Sequence, residues 1–207
     1  MKKKIWIALL MIIIIACLSY FIFFIKNTSK VLKNGNNMSS QEIVNYILNI
    51  SSYKANITVN INSNKNSNKY ILNQEYISPN TNKQEVIEPE NIAGVRITRD
   101  ENGLTVENTR LDLSNIYENY EYIADNCLDL STFIKDYSNS NKSSCEEKDN
   151  QIVMKTESAN ENNYTKNKIL YIDKEKLKPI KLEIKDNNQK TTINILYNEI
   201  EIIEQNQ

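Results

Sequence analysis

The chain has 207 residues, with 25 lysines and arginines against 26 aspartates and glutamates, a formal net charge of −1 and no histidine. This balance gives no electrostatic reason to expect nucleic acid or a strongly charged partner, and the lack of histidine excludes Ser-His-Asp and Cys-His catalysis and argues against a conventional zinc or iron site. Glycine occurs only at positions 35, 94 and 103, too sparsely for a phosphate-cradling or dinucleotide-binding loop, so no catalytic residue, cofactor or metal is expected.

The chain opens Met1-Lys2-Lys3-Lys4 and then carries no charge from Ile5 to Ile25. As a helix those 21 residues cover roughly 30 Å, the thickness of a bilayer's hydrocarbon core. Two anchors fit this segment. Ile14-Ile15-Ala16-Cys17 matches the pattern that bacterial lipoprotein peptidases cut, which makes Cys17 a candidate lipidated first residue of the mature chain. The stretch after it, LSYFIFFI, stays apolar where a lipoprotein turns polar, which favours an uncleaved transmembrane helix. Either anchor, single-pass or lipid, places the remainder outside the cytoplasmic membrane, and the three lysines favour a cytoplasmic amino terminus. The expected division is a membrane anchor or lipoprotein signal at 1–26, a polar linker at 27–38 and an extracytoplasmic domain at 39–207.

The domain begins with a capping box, Ser39-Ser40-Gln41-Glu42, followed by Ile43, Val44, Ile47, Leu48 and Ile50 at helical spacing. From 53 to 62 the period changes to two: Ala55, Ile57, Val59 and Ile61 alternate with Lys54, Asn56, Thr58 and Asn60. A polar turn at 63–68 leads to a second strand at 69–78, ended by Pro79-Asn80. A third strand follows at 84–88, then a turn at Pro89-Glu90-Asn91, then a hairpin in which Val95 and Ile97 face Leu104 and Val106 across a turn containing Gly103. Ile116, Tyr120 and Ile123 predict a helix over 114–123, and Leu130, Phe133, Ile134 and Tyr137 another over 128–137. A serine- and asparagine-rich loop at 138–144 separates these from strands at 151–157, 168–173, 179–185 and 191–203. Successive hairpins with few helices imply an α+β domain: a curved antiparallel sheet, a half-open barrel, with short helices packed on one face.

Candidate site residues are few. Glu199 and Glu201, or Asp112 and Glu118, could pair as acid and base, but read better as solvated faces of a strand and a helix end. Tyr117, Tyr120 and Tyr122 suggest sugar stacking, against the plainer reading of tyrosines half-buried under a sheet. The inward row Ala55, Ile57, Val59, Ile61 could line an acyl-chain cavity or, more simply, a filled core. Cys127 and Cys145 bracket the second mid-chain helix and its loop; outside the membrane they are expected to form a disulfide, worth about 3 kcal/mol in the chain-entropy account.

The order of elements resembles the LolA-type fold, a half-open antiparallel barrel closed by helices. In detail it is similar to the GerS-type germination lipoproteins of clostridia. The residues that carry the likeness are Asn45-Tyr46-Ile47-Leu48, Ser52-Tyr53-Lys54-Ala55-Asn56-Ile57-Thr58-Val59, Gln74-Glu75-Tyr76-Ile77-Ser78-Pro79, Glu85-Val86-Ile87-Glu88-Pro89 and Ile92-Ala93-Gly94. The resemblance implies a non-enzymatic protein that binds and activates a spore-cortex peptidoglycan amidase, so a protein partner is expected. The alternative within the same fold is a carrier of lipid or lipopeptide of the lipoprotein-sorting type. Exposed strand edges such as that of 69–78 also suit pairing with another sheet, including a homodimer.

Overall fold

The computed structural model describes residues 37–203 apart from residues 64, 102, 118–126 and 163, and describes 116, 117 and 160–162 by their backbone alone. The apolar run at 5–25, Cys17 and the linker up to residue 36 lie outside the described residues. Among the described residues no helix is long and apolar enough to cross a membrane. By its contacts the chain divides into Met1–Lys33 and Asn34–Gln207, and the elements below all belong to the second unit.

Helix α1 (Ser40–Leu48) starts where the capping box places it. The Ser39 hydroxyl accepts from the Glu42 amide, and the Ser39 amide donates to the Glu42 carboxylate at 2.7 Å. Two backbone donors of the first turn are thereby satisfied, and one stripe, Ile43, Val44 and Ile47, is left to bury.

Eleven strands follow: β1 (Ser52–Asn62), β2 (Ser67–Ile77), β3 (Thr81–Glu88), β4 (Val95–Asp100), β5 (Gly103–Asn108), β6 (Leu113–Tyr117), β7 (Ser144–Lys148), β8 (Gln151–Asn162), β9 (Thr165–Asp173), β10 (Lys178–Lys185) and β11 (Thr191–Ile202). They make one sheet in the order β6-β5-β4-β3-β2-β1-β11-β10-β9-β8-β7. Two meanders therefore meet where β1 pairs antiparallel with β11. The second helix, α2 (Leu130–Asn139), lies between the meanders in sequence. Among the described residues the architecture is α+β, an unclosed curved antiparallel sheet with two α-helices on one face, as the alternating patterns require.

Register follows from which face is wet. In β1 the inward residues Tyr53, Ala55, Ile57 and Val59 are buried while Lys54 is exposed. Ile57 sits between Leu72 of β2 and Tyr197 of β11, so a slip of one residue would turn this whole row to solvent. The core is built on that row: Ile43 and Ile47 from α1, Leu130 and Phe133 from α2, and Leu170, Ile172, Leu182, Ile184 and Ile195 from β9 to β11 are fully enclosed. Gly103 takes φ 130 at the start of β5, the region that favours glycine. Gly94 takes φ 87 before β4, and a Cβ there would lie 2.9 Å from Thr109 Oγ1, so the corner admits no side chain.

Two mid-chain expectations change. The helix expected at 114–123 is, over its described part, strand β6, paired to β5 with Val106 opposite Asn115. Its helical spacing rests on Tyr120 and Ile123, which lie outside the described residues; Leu113 to Tyr117 instead find their hydrogen bonds in the β5 backbone. The loop expected at 138–144 is present but shorter, at 140–143, because the helix before it runs to Asn139 and a strand that the sequence did not suggest, β7, begins at Ser144. β7 is short, charged and at the sheet margin, so it leaves no alternating apolar signal.

The least expected contact is inside. Lys168 of β9 is 1% exposed and meets the Asp136 carboxylate of α2, 2% exposed, at 2.6 Å. Removing one partner strands a buried charge, whereas replacing both with apolar groups does not. Lys168→Met is therefore expected to lower unfolding free energy by about 3–5 kcal/mol, and Asp136→Leu combined with Lys168→Met to regain most of it, measured by denaturant unfolding.

Candidate functional site

Three surfaces could carry function: the concave interior, the helix-free face and the two open edges of the sheet.

The interior is occupied. The turn entering α2 is seated on the inner face of β1 to β4 by a set of polar contacts. The Leu130 amide donates to the Tyr53 hydroxyl at 3.2 Å. Gln74 Nε2 donates to the Leu128 carbonyl at 3.1 Å, and the Ser131 hydroxyl to Asn82 Oδ1 at 3.1 Å. The Asp129 carboxylate, 2% exposed, accepts from Gln84 Nε2 at 2.6 Å and pairs with Arg99 at 3.4 Å. Asp129 holds the N-cap position without a side-chain capping bond, because its oxygens are spent on β3 and β4. Burial, and then the Asp129 charge, push the hydroxyls of Tyr53 and Tyr197 well above the usual tyrosine range. The inward row Ala55, Ile57, Val59 is packed into this core, with Ile61 half-buried at its end, so the concave face is filled by side chains.

The helix-free face carries a groove of about 1140 Å³. Residues that alternate away from the core line it, among them Lys54, Asn56, Asn73, Glu85, Arg96 and Glu107. The register puts these in rows across the strands. In one row Asn56, Asn73, Glu85, Arg96 and Glu107 are successive partners from β1 to β5. Asn56 Nδ2 donates to Asn73 Oδ1 at 2.8 Å, and Arg96 lies 2.8 Å from Glu85 and 3.8 Å from Glu107. The register of β1 on β11 steps between Asn56 and Ile57, which leaves Asn198 as the extra residue of a bulge; its amide donates to Asn56 Oδ1 at 2.8 Å. In the next row Glu75 lies 3.2 Å from Lys54 and 3.8 Å from Lys83. Glu199 and Glu201 both line this groove, exposed, opposite Asn56 and Lys54. Among the described residues no group of three or more histidine, cysteine or acidic side chains converges as a metal site would require.

The other candidate residues are dispersed. Asp112 sits at φ 53 in the turn before β6, while Glu118, Tyr120 and Tyr122 lie outside the described residues. Tyr117 ends β6. No disulfide joins Cys127 and Cys145, which corrects the expected bridge. Cys127 precedes the first turn of α2, whereas Cys145 lies against Tyr137, whose hydroxyl is raised by burial and then by that thiol.

The two margins of the sheet differ. β7 carries Glu146, Glu147 and Lys148, and is tied back by Ser40 of α1 and by Lys174, which both meet Glu147. β6, Leu113-Ser114-Asn115-Ile116-Tyr117, has no charge, and its first residue Leu113 and the preceding Leu111 are 60% and 65% exposed. Composition alone could have marked β6 as uncharged, but only the strand order makes it an edge.

Among the described residues the chain is a half-open sheet packed on helices, with a filled interior and an uncharged outermost strand at β6. The chain belongs to the YdcC-like sporulation protein family, whose model matches residues 2–206. Its fold is similar to that in the structure of the CwlD amidase from Clostridioides difficile in complex with the GerS lipoprotein, at 21% identity and TM-score 0.52, covering 79% of this chain and 93% of that one. An uncharacterized conserved protein from Thermus thermophilus is similar at 11% identity and TM-score 0.51, covering 82% and 90%. A LolA superfamily protein, NE2245 from Nitrosomonas europaea, matches at 10% identity and TM-score 0.42, covering 82% and 96%. No curated protein matches this chain.

The buried tyrosines set an alkaline limit on stability. Tyr53 and Tyr197 have folded pKa values raised above an unfolded value of 10.0, so their contribution is complete below that pH and is lost above it, as the unfolded chain alone ionises. The denaturant midpoint is expected to fall as pH rises beyond about 10, with the two phenols ionising only on unfolding. Tyr197→Phe should flatten that slope.

Proposed function

We propose that this protein is a non-enzymatic accessory factor, held outside the cytoplasmic membrane by its N-terminal segment, that binds and activates a spore-cortex peptidoglycan amidase. Membership of a sporulation family supports the setting. A fold shared with the structure of an amidase bound to a lipoprotein supports a protein partner. The observation that carries the reading is the asymmetry of the sheet margins: β7 is guarded by charge, while β6, the outermost strand on its side among the described residues, is uncharged, begins with exposed Leu113 and follows exposed Leu111. An unguarded edge recruits an extended strand through main-chain hydrogen bonds, with apolar side chains adding selectivity. The filled interior supports this reading over the carrier alternative, which needs an apolar cavity large enough for an acyl chain.

Turnover of the organism's cortex amidase, measured with and without the full chain, tests the proposal. Activation and a complex on size exclusion are expected. Leu113→Lys with Asn115→Lys puts two charges on the β6 edge and is expected to weaken the complex tenfold or more, about 1.4 kcal/mol, while Glu146→Lys on β7 leaves it intact. Unchanged turnover at saturating protein, with no complex, would sink the proposal.

A further inference from the structure

Docking at β6 leaves the groove on the helix-free face unused. Its polar groups fall in rows running across the strands, at the strand spacing of about 4.8 Å. One row reads Asn198, Asn56, Asn73, Glu85, Arg96, Glu107 and the next Glu201, Lys54, Glu75, Lys83. A polypeptide laid along a row advances about 3.3 Å per residue and falls out of step. A β-1,4-linked pyranose chain advances by nearly one strand spacing per ring and stays in step. Side-chain amides both donate and accept, as sugar hydroxyls and acetamido groups require. The outer amide of this series is available, since Asn73 is exposed and accepts from Asn56 through its oxygen only. The cations Lys54, Lys83 and Arg96, each beside a carboxylate, can turn to carboxylates on a ligand. The geometry points to this groove as a binding site for a β-1,4-linked amino-sugar strand bearing free carboxylates, the glycan backbone of peptidoglycan from which stem peptides have been removed, lying across β11 to β5 with about one sugar per strand.

The site recognises by hydrogen bonds and charge. Tyr197, the aromatic residue that lines it, is 8% exposed and offers no stacking platform, so affinity is modest, near a millimolar Kd. The choice of glycan rests on the cortex-amidase reading, but binding does not require that the amidase be activated.

The full chain in detergent is titrated with soluble N-acetylglucosamine–N-acetylmuramic acid oligomers lacking stem peptides, followed by saturation-transfer NMR. Saturable binding is expected, with weaker binding of uncharged chitin oligomers and none of free stem peptide. Asn56→Ala with Asn73→Ala should weaken the glycan tenfold or more and leave amidase activation unchanged, while Leu113→Lys should leave glycan binding unchanged. If the double-alanine protein melts early, Glu85→Gln with Arg96→Gln serves instead, with the same expected loss. No saturable glycan binding, wild-type affinity in the groove variant that folds, equal affinity for chitin, or preferential binding of stem peptide would each overturn the inference. Glycan binding without activation overturns the amidase reading alone; activation without glycan binding overturns this inference alone.

Discussion

Helix α2 is held at both ends by carboxylates that cannot be elsewhere. Asp129, before its first turn, is matched by Gln84 and Arg99 of the first meander, and Asp136, near its last turn, by Lys168 of the second. Taking such charges out of water costs several kcal/mol per ion, and only well-placed partners offset it. These contacts therefore contribute little net stability but tolerate a single seat for the helix. Because the sheet is not closed by strand pairing, this strap fixes the two meanders against a common core.

A seat that demanding also decides what the interior can do. In a half-barrel, the same volume can hold a helix or a ligand, and here Leu130, Phe133 and the turn before them take it. What the structure leaves open lies at the periphery, where the sheet presents two unlike resources. One is an uncharged strand, β6, outermost among the described residues; the other is a broad face whose side chains form amide and ion-pair ladders. They lie on different parts of the sheet and use different chemistry, so a protein and a polysaccharide could be held at once without competing.

Much of this is visible in the sequence wherever the signal is local. Ser39 and Glu42 announce α1 because the capping box is closed within four residues, and β1 is evident because Ala55, Ile57 and Val59 repeat with the strand period. β6 reads as helix because five residues carry little periodicity of their own, and Tyr120 and Ile123 beyond them supply a helical spacing. β7 escapes notice because its one apolar residue, Cys145, alternates with nothing. The buried ion pair is unreadable: Lys168 stands in the alternating pattern of β9 where an apolar residue belongs, and its partner lies 32 positions away in another element. The asparagine row is hidden by composition. In a chain so rich in asparagine, Asn56, Asn73 and Asn198 look like all the others until register sets them side by side.

The place of β11 has a further consequence. The last strand described lies inside the sheet, between β1 and β10, and it pairs Ile202 with Tyr53. Until it arrives, neither meander has its central neighbour, and the row around Ile57 has no roof on one side. Contacts so distant along the chain slow folding, since the whole intervening loop must be closed before they reward it. The two meanders become one sheet only when β11 has paired with both of them, so the cooperativity of the domain rests on a single strand.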